Sequence, residues 1–92
     1  MQVNVYATLR DVVGGKTVEL DLGAAPNVRD VVDALVATYP LLRPKLMDDS
    51  GELLGAVHVF VNGRDGHYLP DGMTTRLVAT DRIDIFPAVG GG

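Results

Sequence analysis

Apolar residues recur at every second position from the start of the chain, with Met1, Val3, Val5 and Ala7 on one side and Gln2, Asn4, Tyr6 and Thr8 on the other. A period of two in a β-branched run predicts a strand with one buried face. Gly14-Gly15 is a turn signal, after which Val18, Leu20 and Leu22 alternate with Thr17, Glu19 and Asp21. The first two strands are therefore expected to form a hairpin with a long loop. The period changes after Gly23-Ala24-Ala25-Pro26: Val28, Val31, Val32, Leu35 and Tyr39 follow the spacing of a single apolar stripe on a helix. Asn27 is placed to cap that helix and Asp30 to favour its first turn. Pro40 biases Tyr39 out of the α region and ends it. Leu42, Leu46 and Met47 suggest a short further helical turn around Pro44.

In the second half Val57, Val59 and Val61 alternate with His58, Phe60 and Asn62, and Asn62-Gly63 closes the strand with a turn. His67-Tyr68-Leu69 reads as a short strand before Pro70-Asp71-Gly72, and a last strand runs from Arg82 to Phe86. One main helix covering a mixed sheet of four to five strands is an α+β arrangement. Asp48-Asp49-Ser50-Gly51-Glu52 lacks the spacing and distant glutamate of a calcium loop and reads as a solvated turn.

Composition narrows the functional classes. Ninety-two residues fit one domain, and with no cysteine there is no disulfide, thiol nucleophile or thiolate metal site. Twelve acidic against eight basic residues, a net charge of −4, argue against direct nucleic-acid binding and favour a basic protein partner. Met1 opens onto a strand pattern rather than a signal peptide, and no apolar run approaches the ~20 residues that span a bilayer, so no membrane association and a cytoplasmic location are expected. Lys16 and Lys45 are the only lysines.

Catalytic sets are lacking. His58 and His67 lie nine positions apart without metal-ligand spacing or a serine partner and read as strand or surface histidines, so no metal ligand is assigned. Gly14-Gly15 and Gly63-Arg64-Asp65-Gly66 are turns rather than phosphate cradles. If the valines and isoleucines of the strands face the helix, Tyr6, Phe60 and Phe86 share the open face of the sheet. They then form either a partner surface or rings covered by nearby loops, with Phe86 turning into the core. The chain ends Phe86-Pro87-Ala88-Val89-Gly90-Gly91-Gly92. Gly-rich ends default to flexible linkers, but this one follows a buried-looking strand with no polar spacer. Lacking Cβ, its last residues suit a narrow channel. The boundaries are a domain over 1–87 and a flexible glycine tail over 88–92, whose five residues reach at most about 16–18 Å.

Val57-His58-Val59-Phe60-Val61-Asn62-Gly63, the Tyr39-Pro40 helix exit, and Asp81-Arg82-Ile83-Asp84-Ile85-Phe86 running into the glycine end resemble the MoaD/ThiS group of β-grasp, ubiquitin-like proteins. The resemblance covers nearly the whole chain. The group includes sulfur carriers for molybdopterin, thiamine and cysteine synthesis and the small archaeal modifier proteins. Gly90 stands where its members usually carry alanine, serine or threonine, and the segment from Leu41 to Gly55 is longer than in the compact thiamine-type carriers. The resemblance implies a carrier rather than an enzyme. A MoeB/ThiF/E1-like activating enzyme, using its own ATP and magnesium, would adenylate the Gly92 carboxylate. Val89, Gly90 and Gly91 would enter that enzyme, and Tyr6, Phe60, Phe86 and Pro87 would contact partners. The adenylate would yield a thiocarboxylate for a sulfur-accepting synthase or, as the alternative, an isopeptide bond to lysines of target proteins. No cofactor bound by the chain itself is implied.

Overall fold

Among residues 1–87, which the computed structural model describes, five strands form one mixed sheet. They are β1 (Gln2–Val5), β2 (Thr17–Glu19), β3 (His58–Val61), β4 (Arg64–Asp65) and β5 (Ile83–Phe86), in the order β2-β1-β5-β3-β4. β5 is central, parallel to β1 and antiparallel to β3. Its register ranks the branched side chains in two rows across the sheet: Val18, Val3, Ile83 and Val61 in one, and Val5, Ile85 and Val59 in the other. Each of these seven residues is buried. Removing a valine or isoleucine side chain from water contributes about 1.5–3 kcal/mol, so the two rows hold the sheet to the layer packed on them.

That layer is built on α2 (Val28–Thr38), whose stripe of Val28, Val31, Val32 and Leu35 is buried in the same cluster as the rows. The expected cap is present as a reciprocal pair. Asp30 N–H donates to Asn27 Oδ1 at 2.8 Å, and Asn27 N–H donates to Asp30 Oδ2 at 2.9 Å, a capping box that satisfies two backbone amides at the helix start. Pro40 ends α2 and itself begins a 3₁₀ turn over Pro40–Leu42 that leads into α3 (Arg43–Leu46). Leu42 and Leu46 from this pair are fully buried, which realises the helical turn expected around Pro44. Asp48 then closes its loop by accepting from the Ser50 and Glu52 amides at 2.9 and 3.0 Å.

Three local expectations need correction. The loop between β1 and β2 holds a further helix, α1 (Thr8–Val13). The alternation of β1 stops at Ala7, which is exposed and turns the chain with φ 51°. Leu9 is fully buried, with Val12 and Val13 packed partly on the core. Gly14, at φ 76°, is the left-handed cap of this helix, its N–H donating to the Arg10 carbonyl at 2.9 Å. Second, β2 ends at Glu19, although Leu20 remains buried and its N–H reaches the Met1 carbonyl at 2.9 Å. Third, His67-Tyr68-Leu69 is not a strand. Gly66–Tyr68 is a 3₁₀ turn whose start is capped by Asp65, which accepts from the His67 amide at 2.9 Å. Gly66 lets the turn approach β3 closely: a Cβ at that position would lie 3.1 Å from the Val59 carbonyl oxygen, a tight contact.

Asn62-Gly63, by contrast, forms the expected two-residue hairpin turn, with both residues at positive φ (52° and 83°). Among the described residues no helix is long and apolar enough to cross a membrane. Asn27→Ala removes the side-chain half of the capping box and is expected to cost about 1 kcal/mol. In a domain of this size that lowers the thermal midpoint by about 4–8 °C, measurable by circular dichroism.

Candidate partner-binding site

The face of the sheet away from α2 carries the alternate residues of β1, β5 and β3. Because Asn4 and Phe60 both lie opposite Asp84, and His58 opposite Phe86, these side chains collect at its centre. Tyr6 follows directly after β1. Tyr6 and Phe86 stack with centroids 4.2 Å apart and planes 12° from parallel, and Phe60 meets Phe86 edge-on at 5.5 Å. The three aromatics singled out from the alternation therefore form one group. They do not share one exposure: Tyr6 and Phe60 are half-buried, whereas Phe86 is the exposed ring. Phe86 does not turn into the core but remains 37% exposed at the end of β5. Pro87 lies beside His58, Phe60, Asp65 and Phe86 and is itself buried, so it offers a partner little surface. Ala88, Val89, Gly90, Gly91 and Gly92 lie outside the described residues.

Asp84, which the alternation marks only as a polar strand position, is the organising group of this face. Its side chain is buried and accepts from Tyr6 Oη at 2.7 Å, Arg82 Nε at 2.9 Å and Asn4 Nδ2 at 3.1 Å. Burial by itself would raise its pKa, but the bonds from Tyr6, Arg82 and Asn4 and the charge of Arg82 outweigh burial and hold the carboxyl below its ordinary value. Thr17 extends the network by donating to Asn4 Oδ1 at 3.2 Å. The overlooked helix α1 contributes as well. Its Arg10 donates from Nε to the Val5 carbonyl at 2.8 Å and places its guanidinium 4.8 Å from the centre of the Tyr6 ring. Tyr6 is thus held by a stacked ring, a cation and a hydrogen bond. Tyr6, Phe60, Phe86, Arg82, Asp84 and Asn62 line a shallow open recess. Such a preformed aromatic surface with a charged rim fits a protein partner better than an enclosed small molecule.

Sequence reasoning missed Asp84, Arg82 and Arg10 because their roles depend on cross-strand register and on a helix read as a loop. It also separated His58 from His67, which the structure brings together with ring centroids 5.2 Å apart. The signal was available. A two-residue turn at Asn62-Gly63 pairs Val61 with Arg64 and Phe60 with Asp65, and continuing that count sets His58 against His67.

A five-stranded mixed sheet with a parallel central pair, a crossing helix on one face and the final strand in the middle defines a ubiquitin-like β-grasp domain. The chain belongs to the ThiS family, which it matches over residues 3–92; members of that family are small carrier or modifier proteins, not enzymes. It is 38% identical to small archaeal modifier protein 3 of Haloferax volcanii over 92 residues, which is 100% of this chain and 98% of that protein. Its structure is similar to the crystal structure of SAMP1 from Haloferax volcanii, with a TM-score of 0.84 and 32% identity over 99% of this chain and 97% of that one. It is similar too to a chain in the crystal structure of the Amycolatopsis orientalis BexX/CysO complex, with a TM-score of 0.77 and 28% identity over 99% and 98% of the two chains.

Asp84 generates a pH prediction. A carboxyl whose folded value is depressed stabilises the fold fully above its unfolded value, near 3.8, and loses that contribution as pH falls through the folded value. Asp84→Asn, whose amide opposes Arg82, is expected to lower the urea midpoint at neutral pH by an amount equivalent to about 1–3 kcal/mol. The gap between variant and wild type should narrow as pH is taken below about 4. Urea titrations across that range measure it.

Proposed function

We propose that this protein is a ubiquitin-like sulfur carrier or modifier whose reactive group is the Gly92 carboxylate. The observation that carries the reading is the placement of β5: the strand that runs toward Gly92 lies at the centre of the sheet and exposes Phe86 just before Pro87. A partner seated on the Tyr6, Phe60 and Phe86 face is therefore next to the root of the tail. Membership of the ThiS family supports the same conclusion.

A carboxylate is anionic at neutral pH and a poor electrophile. Attack by its oxygen on the α-phosphorus of ATP, in the site of an activating enzyme of the MoeB or ThiF kind, expels pyrophosphate and leaves an acyl-adenylate. ATP and magnesium belong to that enzyme. Hydrosulfide attacking that carbonyl displaces AMP and leaves a thiocarboxylate, the form that donates sulfur to an acceptor synthase. A lysine amine at the same carbonyl gives an isopeptide bond and releases AMP. The second outcome is favoured by a specific observation, that the two curated relatives at 38% and 33% identity are both named modifier proteins. The first is supported by likeness to CysO, crystallised in complex with BexX. Either route makes the chain a substrate of its partner, and the cytoplasm is where we place it.

Gly92→Ala and deletion of Gly91-Gly92 are each expected to abolish ATP–pyrophosphate exchange by the activating enzyme while leaving the thermal midpoint nearly unchanged; undiminished exchange in both would sink the reading. Phe86→Ala should weaken binding to the activating enzyme at least tenfold, in the range of an aromatic hot spot, and, because the ring also stacks on Tyr6, should cost about 0.5–1.5 kcal/mol of stability. Mass spectrometry of protein from its native cell separates the two outcomes. Replacement of one terminal oxygen by sulfur marks the carrier, and Gly-Gly remnants on lysines of other proteins mark the modifier.

A further inference from the structure

His58, Asp65 and His67 come from three different elements, β3, β4 and the 3₁₀ turn after β4, yet one ligand atom from each lies within 4.8 Å of the other two. We propose that these three side chains bind a single divalent cation of the zinc class, through two imidazole nitrogens and one carboxylate oxygen, with water completing the coordination.

The geometry of each ligand supports the assignment. His67 Nε2 lies 3.2 Å from the Val57 carbonyl oxygen. A carbonyl can only accept, so the ring proton sits on Nε2 and the lone pair on Nδ1. Metal-binding histidines are oriented by this type of bond from the second nitrogen to a backbone carbonyl. His58 Nδ1 and Asp65 Oδ2 are 2.7 Å apart about a shared proton. A cation takes the place of that proton, which leaves to solvent, and two ligands about 2.0–2.1 Å from a tetrahedral ion stand about 3.3 Å apart. The His58–Asp65 pair must open slightly and any separation wider than this, within the 4.8 Å of the cluster, must close; both movements fall on His58, whose side chain is 45% exposed, and on the exposed His67.

Asp65, only 14% exposed, is the fixed member. Its other oxygen is held by the His67 amide, and the same bond fixes the start of the turn that carries His67. Gly66 lets that turn lie close against Val59. Two neutral imidazoles and one carboxylate suit zinc and its neighbours rather than magnesium or calcium, which prefer oxygen ligands. A bound ion would join β3, β4 and the turn into one unit beside Phe86 and Pro87.

The test uses the untagged full chain, stripped with chelator and titrated with zinc chloride at pH 7.5 by calorimetry, with ¹H–¹⁵N spectra of the histidine rings recorded in parallel. One saturable site per chain in the micromolar range, with shifts confined to the His58 and His67 rings and the residues around them, is expected. His67→Ala, which removes an exposed side chain, should weaken binding tenfold or more without altering the fold, and Asp65→Asn should do the same. Zinc at ten times its dissociation constant should raise the wild-type thermal midpoint by about 6–11 °C, and not that of His67→Ala. Absence of saturable binding below millimolar zinc, or equal affinity in wild type and His67→Ala, overturns the proposal.

Discussion

The parallel pairing of β1 with β5 is the constraint on which the rest of the structure depends. Val3 beside Ile83 and Val5 beside Ile85 join the first and last strands of the described chain at the centre of the sheet. Parallel neighbours cannot be joined by a tight turn, so the whole chain between them must be routed elsewhere. Part of it covers the sheet as α2, part forms the β3–β4 hairpin on the far side of β5, and the β1–β2 hairpin flanks the near side. With strands on both edges of β5, its backbone groups are paired on each side. Its outward residues are then placed by register rather than by their own rotamers, which is how Asn4, Phe60 and Asp84 come to share one line across the sheet.

Central placement also explains why a carboxylate can be buried on the outer face. At a sheet edge Asp84 would be hydrated; here it lies beneath aromatic rings and must be satisfied by protein donors, since an unpartnered buried charge costs several kcal/mol. Tyr6, Arg82 and Asn4 supply them, and among the described residues no buried side-chain nitrogen or oxygen lacks a partner. The same bonds restrain Tyr6, on which Phe86 stacks. Polar satisfaction and aromatic presentation on this face are one arrangement.

The two periodicities made most of the fold legible. A period of two located β1, β2, β3 and β5, and the helical stripe with Asn27 and Asp30 located α2 down to its cap. Where the reading failed, local evidence was ambiguous. Ala7 continues the alternation of β1 as a letter, but its backbone has φ 51°, a conformation no side-chain pattern announces. Leu9, Val12 and Val13 have helical spacing, yet in so short a segment packing rather than pattern decides the outcome. His67-Tyr68-Leu69 has strand composition, but the Asp65 cap and the close approach of Gly66 to Val59 give a 3₁₀ turn instead. The aromatic group was legible because it needs only alternation within strands. Asp84 as its centre, and His58 beside His67, needed pairing between strands.

The division between tail and face has a consequence for recognition. On the proposed function the reacting end consists of glycines, which present only backbone and carboxylate, so it cannot distinguish one family member's partner from another's. Discrimination must then reside on the sheet face, and there the aromatic rings supply affinity while the charges around them supply selection. In this chain the acidic group at the centre is internally compensated by Arg82, and a second cation, Arg10, stands over Tyr6. The immediate rim of the patch is therefore more basic than a net charge of −4 suggests. A partner matched to this face needs an apolar pocket for Phe86 flanked by acidic or hydrogen-bond-accepting groups, even though the chain as a whole would steer basic surfaces toward it. Long-range attraction and local fit thus favour different chemistry, and a partner with a basic surround and an acidic-edged apolar pocket satisfies both.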